Sequence, residues 1–265
     1  MRWDFAKSAQ NLSIISEFYA HKKGFYMSIT TVLFDLDGTL LPMDLDEFIK
    51  AYFGAIAKKM APHGYEPSQL VDAIWKGTGA MVNNNGRQTN EQAFWQVVTG
   101  IYGQRIIQDQ PLFDQFYVED FDKLRSVCGY DPMAAKIVYR LKEKGYRVVL
   151  ATNPIFPAMA TQWRIKWAGL QPEDFALYTT YENCSYCKPN PEYYRSILQK
   201  LQIPAEECMM VGNDVSEDMV AEQLGMDVFL LTDCLLNKNK QDISCYRQGG
   251  FDALYRLIDD LPDLI

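Results

Sequence analysis

The chain has 265 residues, a net charge of −8, 48% hydrophobic and 23% charged residues, and a pI near 4.9. This is globular composition at a length that buries a full core, and its acidity disfavours nucleic acid or an anionic membrane as a partner. With no apolar run of about 18 residues to cross a bilayer, no leader pattern and six cysteines read as reduced thiols, the expectation is a cytoplasmic monomer or homodimer.

Residues 1–26 precede Met27, which opens the stretch MSITTVLFDLDGTL. Lys22-Lys23-Gly24 suits a purine-rich coding stretch of the kind that binds a ribosome just ahead of a start codon. Residues 1–26 are therefore expected to lie outside the fold; the competing reading is an amphipathic helix, since Leu12, Ile15, Phe18 and Tyr19 have helical spacing. Thr31-Val32-Leu33-Phe34 is a short apolar run that stops at Asp35, with Gly38 close behind, and reads as a buried strand followed by a tight turn.

Residues 44–127 then carry helical patterning rich in aromatic residues, with helices expected at 44–60, 67–82, 90–101 and 111–127. Pro62, Gly64, Pro67 and the run Asn83-Asn84-Asn85-Gly86 separate them. After Asp131-Pro132 the texture changes to alternation. Helices are expected at 132–144, 156–168, 190–201, 215–224 and 250–260, and strands at 146–151, 176–180, 208–211 and 227–231. Strand–helix alternation implies a parallel sheet with right-handed crossovers. The fold class is therefore α/β, a Rossmann-like parallel sheet core with a helical insertion after the first strand. The expected division is 27–42 and 129–265 for the core and 43–128 for the insertion.

Four polar clusters fall at the carboxyl ends of the predicted strands. They are Asp35-Leu36-Asp37-Gly38-Thr39, Thr152-Asn153, Lys188-Pro189, and Gly212-Asn213-Asp214 with Asp218. A parallel sheet gathers such ends at one edge, where ligands bind. Clustered carboxylates need a cation, and all-oxygen ligation suits Mg²⁺. A lysine and a hydroxyl complement a bound anion. Together these are the requirements of phosphoryl transfer. Taken singly, each residue also fits a blander role: a helix cap for Thr152, Asp214 or Asp218, and a solvated side chain for Lys188.

The order and spacing of the four clusters resemble the haloacid dehalogenase (HAD) superfamily. Phe34-Asp35-Leu36-Asp37-Gly38-Thr39-Leu40 is similar to its first motif, Thr152 to its second, Lys188 in CKPNP to its third, and Gly212–Asp218 to its fourth. The resemblance implies Asp35 as nucleophile and Asp37 as general acid and base. It also implies Thr152, Asn153, Lys188 and Gly38 around the phosphate. Mg²⁺ would be held by Asp35, the Asp37 carbonyl and the fourth motif. Many relatives read Gly-Asp where this chain reads Gly212-Asn213-Asp214, so the metal carboxylate falls on Asn213 by one count and on Asp214 by another. Asp214 is the expected ligand, with Asp218 as a supporting or alternate one.

The insertion resembles the helical cap of phosphoglycolate-phosphatase-like members, which implies a small phosphorylated metabolite as substrate. A β-phosphoglucomutase-like mutase shares every motif. A 2-haloacid dehalogenase is disfavoured by Asp37 and the acidic fourth motif, and a non-catalytic module by four filled motifs. Lys50, Lys76, Asn83, Asn84 and Arg87 are the polar insertion residues considered for substrate contact, though each also suits solvent. Trp75, Phe94, Trp95, Phe113, Phe116, Phe121, Trp163 and Trp167 are expected in the core, and His21 and His63 on the surface. Cys184 and Cys187 form a C-x-x-C without a second close pair, so neither zinc nor redox chemistry is expected there.

Overall fold

Among the described residues six strands form one sheet: β1 Thr31–Phe34, β2 Arg147–Leu150, β3 Leu177–Tyr178, β4 Cys208–Gly212, β5 Asp227–Leu231 and β6 Arg247–Gly249. Their spatial order is β3-β2-β1-β4-β5-β6, and every pairing is parallel. The computed structural model describes residues 29–264, so the expectation for residues 1–26, and that for His21, lies outside the described residues. All four residues of β1 are buried, as a central parallel strand covered on both faces requires. Successive side chains point to opposite faces. Val32 and Phe34 accordingly join one apolar cluster, with Ile137 and Leu254, while Leu33 joins another, with Ile197 and Met210. Each large side chain so buried contributes about 1.5–3 kcal/mol.

The chain winds outward from β1 through β2 to β3, then returns to build β4, β5 and β6 on the other side. The direction of winding reverses between β1 and β4. At such a reversal the crossovers on either side diverge and leave a crevice beyond the strands' carboxyl ends. Asp35 follows β1 and Asn213 follows β4, so both stand at this crevice.

Between β1 and the next sheet-covering helix the chain is helical: α1 Leu45–Met60, α2 Pro67–Val82, α3 Asn90–Tyr102, α4 Gln104–Gln108 and α5 Gln110–Glu119, closed by a 3₁₀ segment Phe121–Val127. Local chemistry sets the starts. Asp44 caps α1 by accepting from the Asp46 and Glu47 N–H groups at 3.0 and 3.1 Å, and Thr89 with Gln92 makes a capping box on α3. Then come α6 Pro132–Glu143, α7 Ala158–Trp167, α8 Pro191–Leu201 and α9 Phe251–Asp260. No helix among the described residues is long and apolar enough to cross a membrane.

The two strands of chain entering and leaving the helical insert are tied together. Met43 and Cys128 form an antiparallel bridge, and the Gly129 N–H donates to the Pro42 carbonyl at 2.7 Å. On the opposite side the start of α3 docks on the segment 181–187. The Asn90 and Glu91 N–H groups donate to the Cys184 and Tyr181 carbonyls at 2.8 and 2.9 Å, and the buried Asn90 side chain donates to the Pro154 carbonyl at 3.1 Å. The insert thus closes over the sheet edge from two sides.

Four elements differ from their sequence expectations, the first being the short helix α4, Gln104–Gln108, for which no helix was expected. The helix expected at 111–127 is broken into α5 and the 3₁₀ segment, and α5 takes Pro111 into its first turn, where a missing N–H costs nothing. The helix expected at 215–224 is only a 3₁₀ segment, Met219–Leu224, because residues 213–218 are spent on a turn that presents side chains. Strand β6 was not expected: Arg-Gln-Gly is polar and short, as an edge position allows.

Candidate active site

Lys188 sits at the centre of the site. It lies in the loop before α8, is 1% exposed, and its Nζ donates to Asp35 Oδ1 at 2.7 Å and Asp218 Oδ1 at 2.6 Å. Burial works against the ammonium, yet Asp218 and Asp35 together hold its pKa well above the ordinary lysine value. The cation is therefore fixed between two carboxylates. The second oxygen of Asp218 accepts from the Asp214 N–H at 2.9 Å. Gly212 makes room for this arrangement, because a Cβ there would overlap the Asp218 carboxylate.

Asp35 keeps its other oxygen toward Thr39, whose hydroxyl is 3.3 Å from Asp35 Oδ2 and 3.0 Å from Asn213 Oδ1. The Asn213 amide donates to the Cys234 carbonyl at 2.7 Å and packs against Gly38. Gly38 has φ +84°, and a Cβ would overlap Asn213 Nδ2, so this turn excludes every other residue on two grounds. Asp214 Oδ1 caps the following turn, accepting from the Ser216 and Glu217 N–H groups at 2.7 and 3.0 Å.

Two participants lay outside the sequence reading. Arg164 on α7 is 1% exposed. Its guanidinium pairs with Asp37 Oδ2 and stacks on the Phe156 ring at 4.6 Å. Burial raises the Asp37 pKa and Arg164 opposes it, with a net upward shift. The other oxygen, Asp37 Oδ1, is buried and has no hydrogen-bond partner among the described residues. The signal available in the sequence was a charged residue flanked by core positions: Ala160, Thr161, Ile165 and Trp167 of the same helix are all buried. Glu217 is the second. Its carboxylate accepts from Asn153 Nδ2 at 3.0 Å, and burial pushes its pKa up to about 7.

Asp35, Asp37, Thr152, Asn153, Asn213, Asp214, Glu217 and Asp218 line one cavity of about 210 Å³ between the sheet edge and the insert. The insert supplies the facing wall with rings, including Trp75, Phe94, Trp95 and Phe113; the core expectation holds for Phe113, buried in the main cluster with Phe94 and Trp95 packed against it, and fails for Trp75, which is half exposed. Phe116 and Phe121 do pack in the core, as does Trp167, stacked on Phe121 at 5.4 Å; half-buried Trp163 packs against it and donates to the Tyr117 carbonyl at 3.0 Å. Lys50, Lys76, Asn83, Asn84 and Arg87 do not line the cavity. Asn83 instead caps α2, and Asn84 bonds Asn90 at 2.9 Å. Cys184 and Cys187 are buried free thiols, and Cys187 accepts from Asn90.

Among the described residues no three His, Cys, Asp or Glu side chains are gathered as a ready-made metal site, so a cation here would rest on few protein oxygens. Asp35, Asp214, Asn213 and the Asp37 carbonyl belong to residues lining the cavity, and Mg²⁺ commonly takes only one or two carboxylates, completing its shell with water and phosphate. Asp218 fits less well as a direct ligand, since Lys188 and the Asp214 N–H occupy both its oxygens. Replacing Arg164 by Met is expected to leave Asp37 without its counter-ion. Stability should fall by up to about 3 kcal/mol in urea unfolding, and kcat should fall more for alkyl than for nitrophenyl phosphates, because only the former need a well-placed proton.

Residues 29–225 match the model of the haloacid dehalogenase-like hydrolases. The chain belongs to this family. Pyrophosphatase PpaX of Bacillus cereus is 28% identical over 197 residues, covering 74% of this chain and 80% of its own. Among solved structures, a HAD phosphatase from Thermococcus onnurineus is 19% identical, covering 89% of this chain and 100% of that one, with TM-score 0.52. The HAD hydrolase YfnB of Bacillus subtilis, described as bound to magnesium and as revealing interdomain movement, is 17% identical with TM-score 0.51, covering 87% of this chain and 99% of that one. The HAD chain described here is therefore a hydrolase whose named relatives include phosphatases and a pyrophosphatase.

Proposed function

We propose that this HAD hydrolase is a magnesium-dependent phosphatase that releases phosphate from a small phosphorylated metabolite through an aspartyl-phosphate on Asp35. The observation that carries this is the Asp35 carboxylate at the cavity floor, one oxygen held by Lys188 and the second turned to Thr39. That second oxygen would attack phosphorus, forming an O–P bond as the ester O–P bond breaks. Asp37, protonated, would give its proton to the departing oxygen. Water would then attack the acyl-phosphate, surrendering a proton to Asp37 and restoring the Asp35 carboxylate. Thr152 and Lys188 would hold the phosphoryl oxygens, and the insert would act as the cap that excludes bulk water. Magnesium, held by Asp35, the Asp37 carbonyl and the fourth-motif oxygens, would lower the repulsion between carboxylate and phosphate.

The direct test is phosphate release from a panel of phosphorylated metabolites with Mg²⁺ and with EDTA. Activity with Mg²⁺ and none in chelator is expected; halide release from a haloacid in chelator would move the chain to dehalogenase chemistry. A phosphomutase would instead move phosphate within a sugar phosphate, which product analysis detects.

The ligand ambiguity has its own measurement. With Asp214 as the charged ligand, Asp214→Asn weakens the apparent Mg²⁺ affinity by at least about tenfold, on the order of 1.4 kcal/mol, and Asn213→Ala costs much less. The reverse order of effects, with tighter binding in Asn213→Asp, makes Asn213 the ligand position.

A further inference from the structure

We infer that the leaving group of the substrate is an uncharged aromatic alcohol, and that esters whose leaving group carries a second negative charge are turned away. This deepens the phosphatase reading and rests on it. The cavity has two unlike halves. The sheet edge supplies carboxylates and amides beside Ile155 and Phe156, whereas the insert supplies mainly rings and aliphatic side chains, Phe48, Phe53, Trp75 and Phe113 among them, with the hydroxyls of Tyr52, Thr78 and Tyr117 as uncharged polar groups. None of the insert's lining residues is Lys, Arg or His. Among the described residues the basic side chain on the wall is Lys238, which is exposed and comes from the core-side loop after β5. The charge that the insert does bring is the wrong one for an anion: Asp114 on α5 lines the same cavity.

A pyrophosphate or a phosphoglycolate would therefore bury its second anionic group among rings and beside a carboxylate, with no cation from the insert to meet it. An ion in such surroundings loses its hydration without compensation. A ring gains there. Phe53 and Trp75 lie 5.1 Å apart, Phe94 and Trp95 meet edge-on at 5.3 Å, and Trp95 and Phe113 meet at 5.8 Å. A further ring extends this edge-to-face array and adds to the plain transfer of apolar surface. The volume sets a limit: about 210 Å³ must hold the phosphoryl group as well as the leaving group, against the roughly 150 Å³ that holds a benzene-sized guest alone, so the alcohol carries no more than a single ring. The chain would thus depart from PpaX, named for pyrophosphate, in the half of the site that faces the leaving group.

The test is kcat/KM of the full chain with Mg²⁺ for benzyl phosphate, ethyl phosphate, pyrophosphate and 2-phosphoglycolate, with p-nitrophenyl phosphate as a permissive control. Benzyl and ethyl esters release alcohols of similar acidity, so their ratio reports the pocket. Benzyl phosphate is expected to exceed ethyl phosphate, and also pyrophosphate and 2-phosphoglycolate, whose leaving groups are themselves anionic, on the order of a hundredfold. Equal rates for benzyl and ethyl phosphate, or a preference for pyrophosphate or phosphoglycolate, would overturn the inference while leaving a phosphatase. No phosphate from any compound, the nitrophenyl ester included, would remove the phosphatase reading and the inference with it. Trp75→Lys, at a side chain half exposed and so tolerant of charge, should lower the benzyl rate and raise the phosphoglycolate rate. A folded variant with the benzyl-to-phosphoglycolate ratio unchanged would count against the insert wall as the seat of the leaving group.

Discussion

Asp35→Asn should lower phosphate release on the order of 10⁴-fold or more, the scale at which enzymes lose activity when a covalent nucleophile is removed. The amide keeps the shape of the carboxylate but offers no charged oxygen to phosphorus. Folding should survive, since β1 packs through Val32, Leu33 and Phe34, and Lys188 keeps Asp218 at 2.6 Å. The measurement pairs kcat for p-nitrophenyl phosphate with a thermal melt. Near-wild-type kcat would rule out a covalent step on Asp35. Lost activity with a lost melting transition would instead mean that the carboxylate is needed to hold the site together.

Lys188→Met is the second large effect, and here stability and activity should fall together. The ammonium is the shared partner of Asp35 and Asp218, which are 7% and 1% exposed. Methionine fills the space and leaves two buried carboxylates with no cation. Breaking a buried pair in this way costs about 3–5 kcal/mol, a fall of roughly 10 °C in melting temperature for a domain of this size. The pH dependence has a definite sign. Burial raises the Asp218 pKa and Lys188 pulls it back, so removing Lys188 lets it rise further. A carboxyl whose folded pKa lies above its unfolded value favours folding when protonated, and that stability is lost as pH rises through the folded value. The deficit against wild type should therefore be larger at pH 8 than at pH 5. A pH-independent deficit would point to packing, not charge.

The sheet was legible because the ends of β1, β2, β4 and β5 are written twice: an apolar run that fits burial on both faces, then an abrupt polar residue. Asp35, Thr152 and Asn213 all stand at such boundaries. Arg-Gln-Gly of β6 carries neither mark, for among the described residues it pairs with β5 alone and it borders solvent. Arg164 escaped for a related reason. A single charged residue among core positions has no motif, and its partner Asp37 is 127 positions away in sequence. Hydrophobic pattern also cannot separate a ring that fills a core from one that lines a hollow. Phe116 and Phe113 lie on the same helix one turn apart and both are buried in the same cluster, yet only Phe113 also lines the cavity. In the fourth motif two adjacent side chains point apart, Asn213 toward Thr39 and Asp214 toward its own turn, which spacing alone does not encode.

The hydrogen bond from Gly129 to Pro42, with the bridge from Met43 to Cys128 beside it, makes the whole helical insert a loop with its ends short-circuited. Seen from the sheet, the chain leaves and returns at one point, whatever lies between. The entropy of closing such a loop grows only logarithmically with its length, about 0.6 kcal/mol per doubling. The insert could therefore be lengthened, shortened or exchanged without re-registering β1 against β2 and β4. The same short circuit offers a direct construction: linking Pro42 to Gly129 by a few glycines should yield a sheet that keeps whatever Mg²⁺ affinity the full chain has but loses its choice of leaving group.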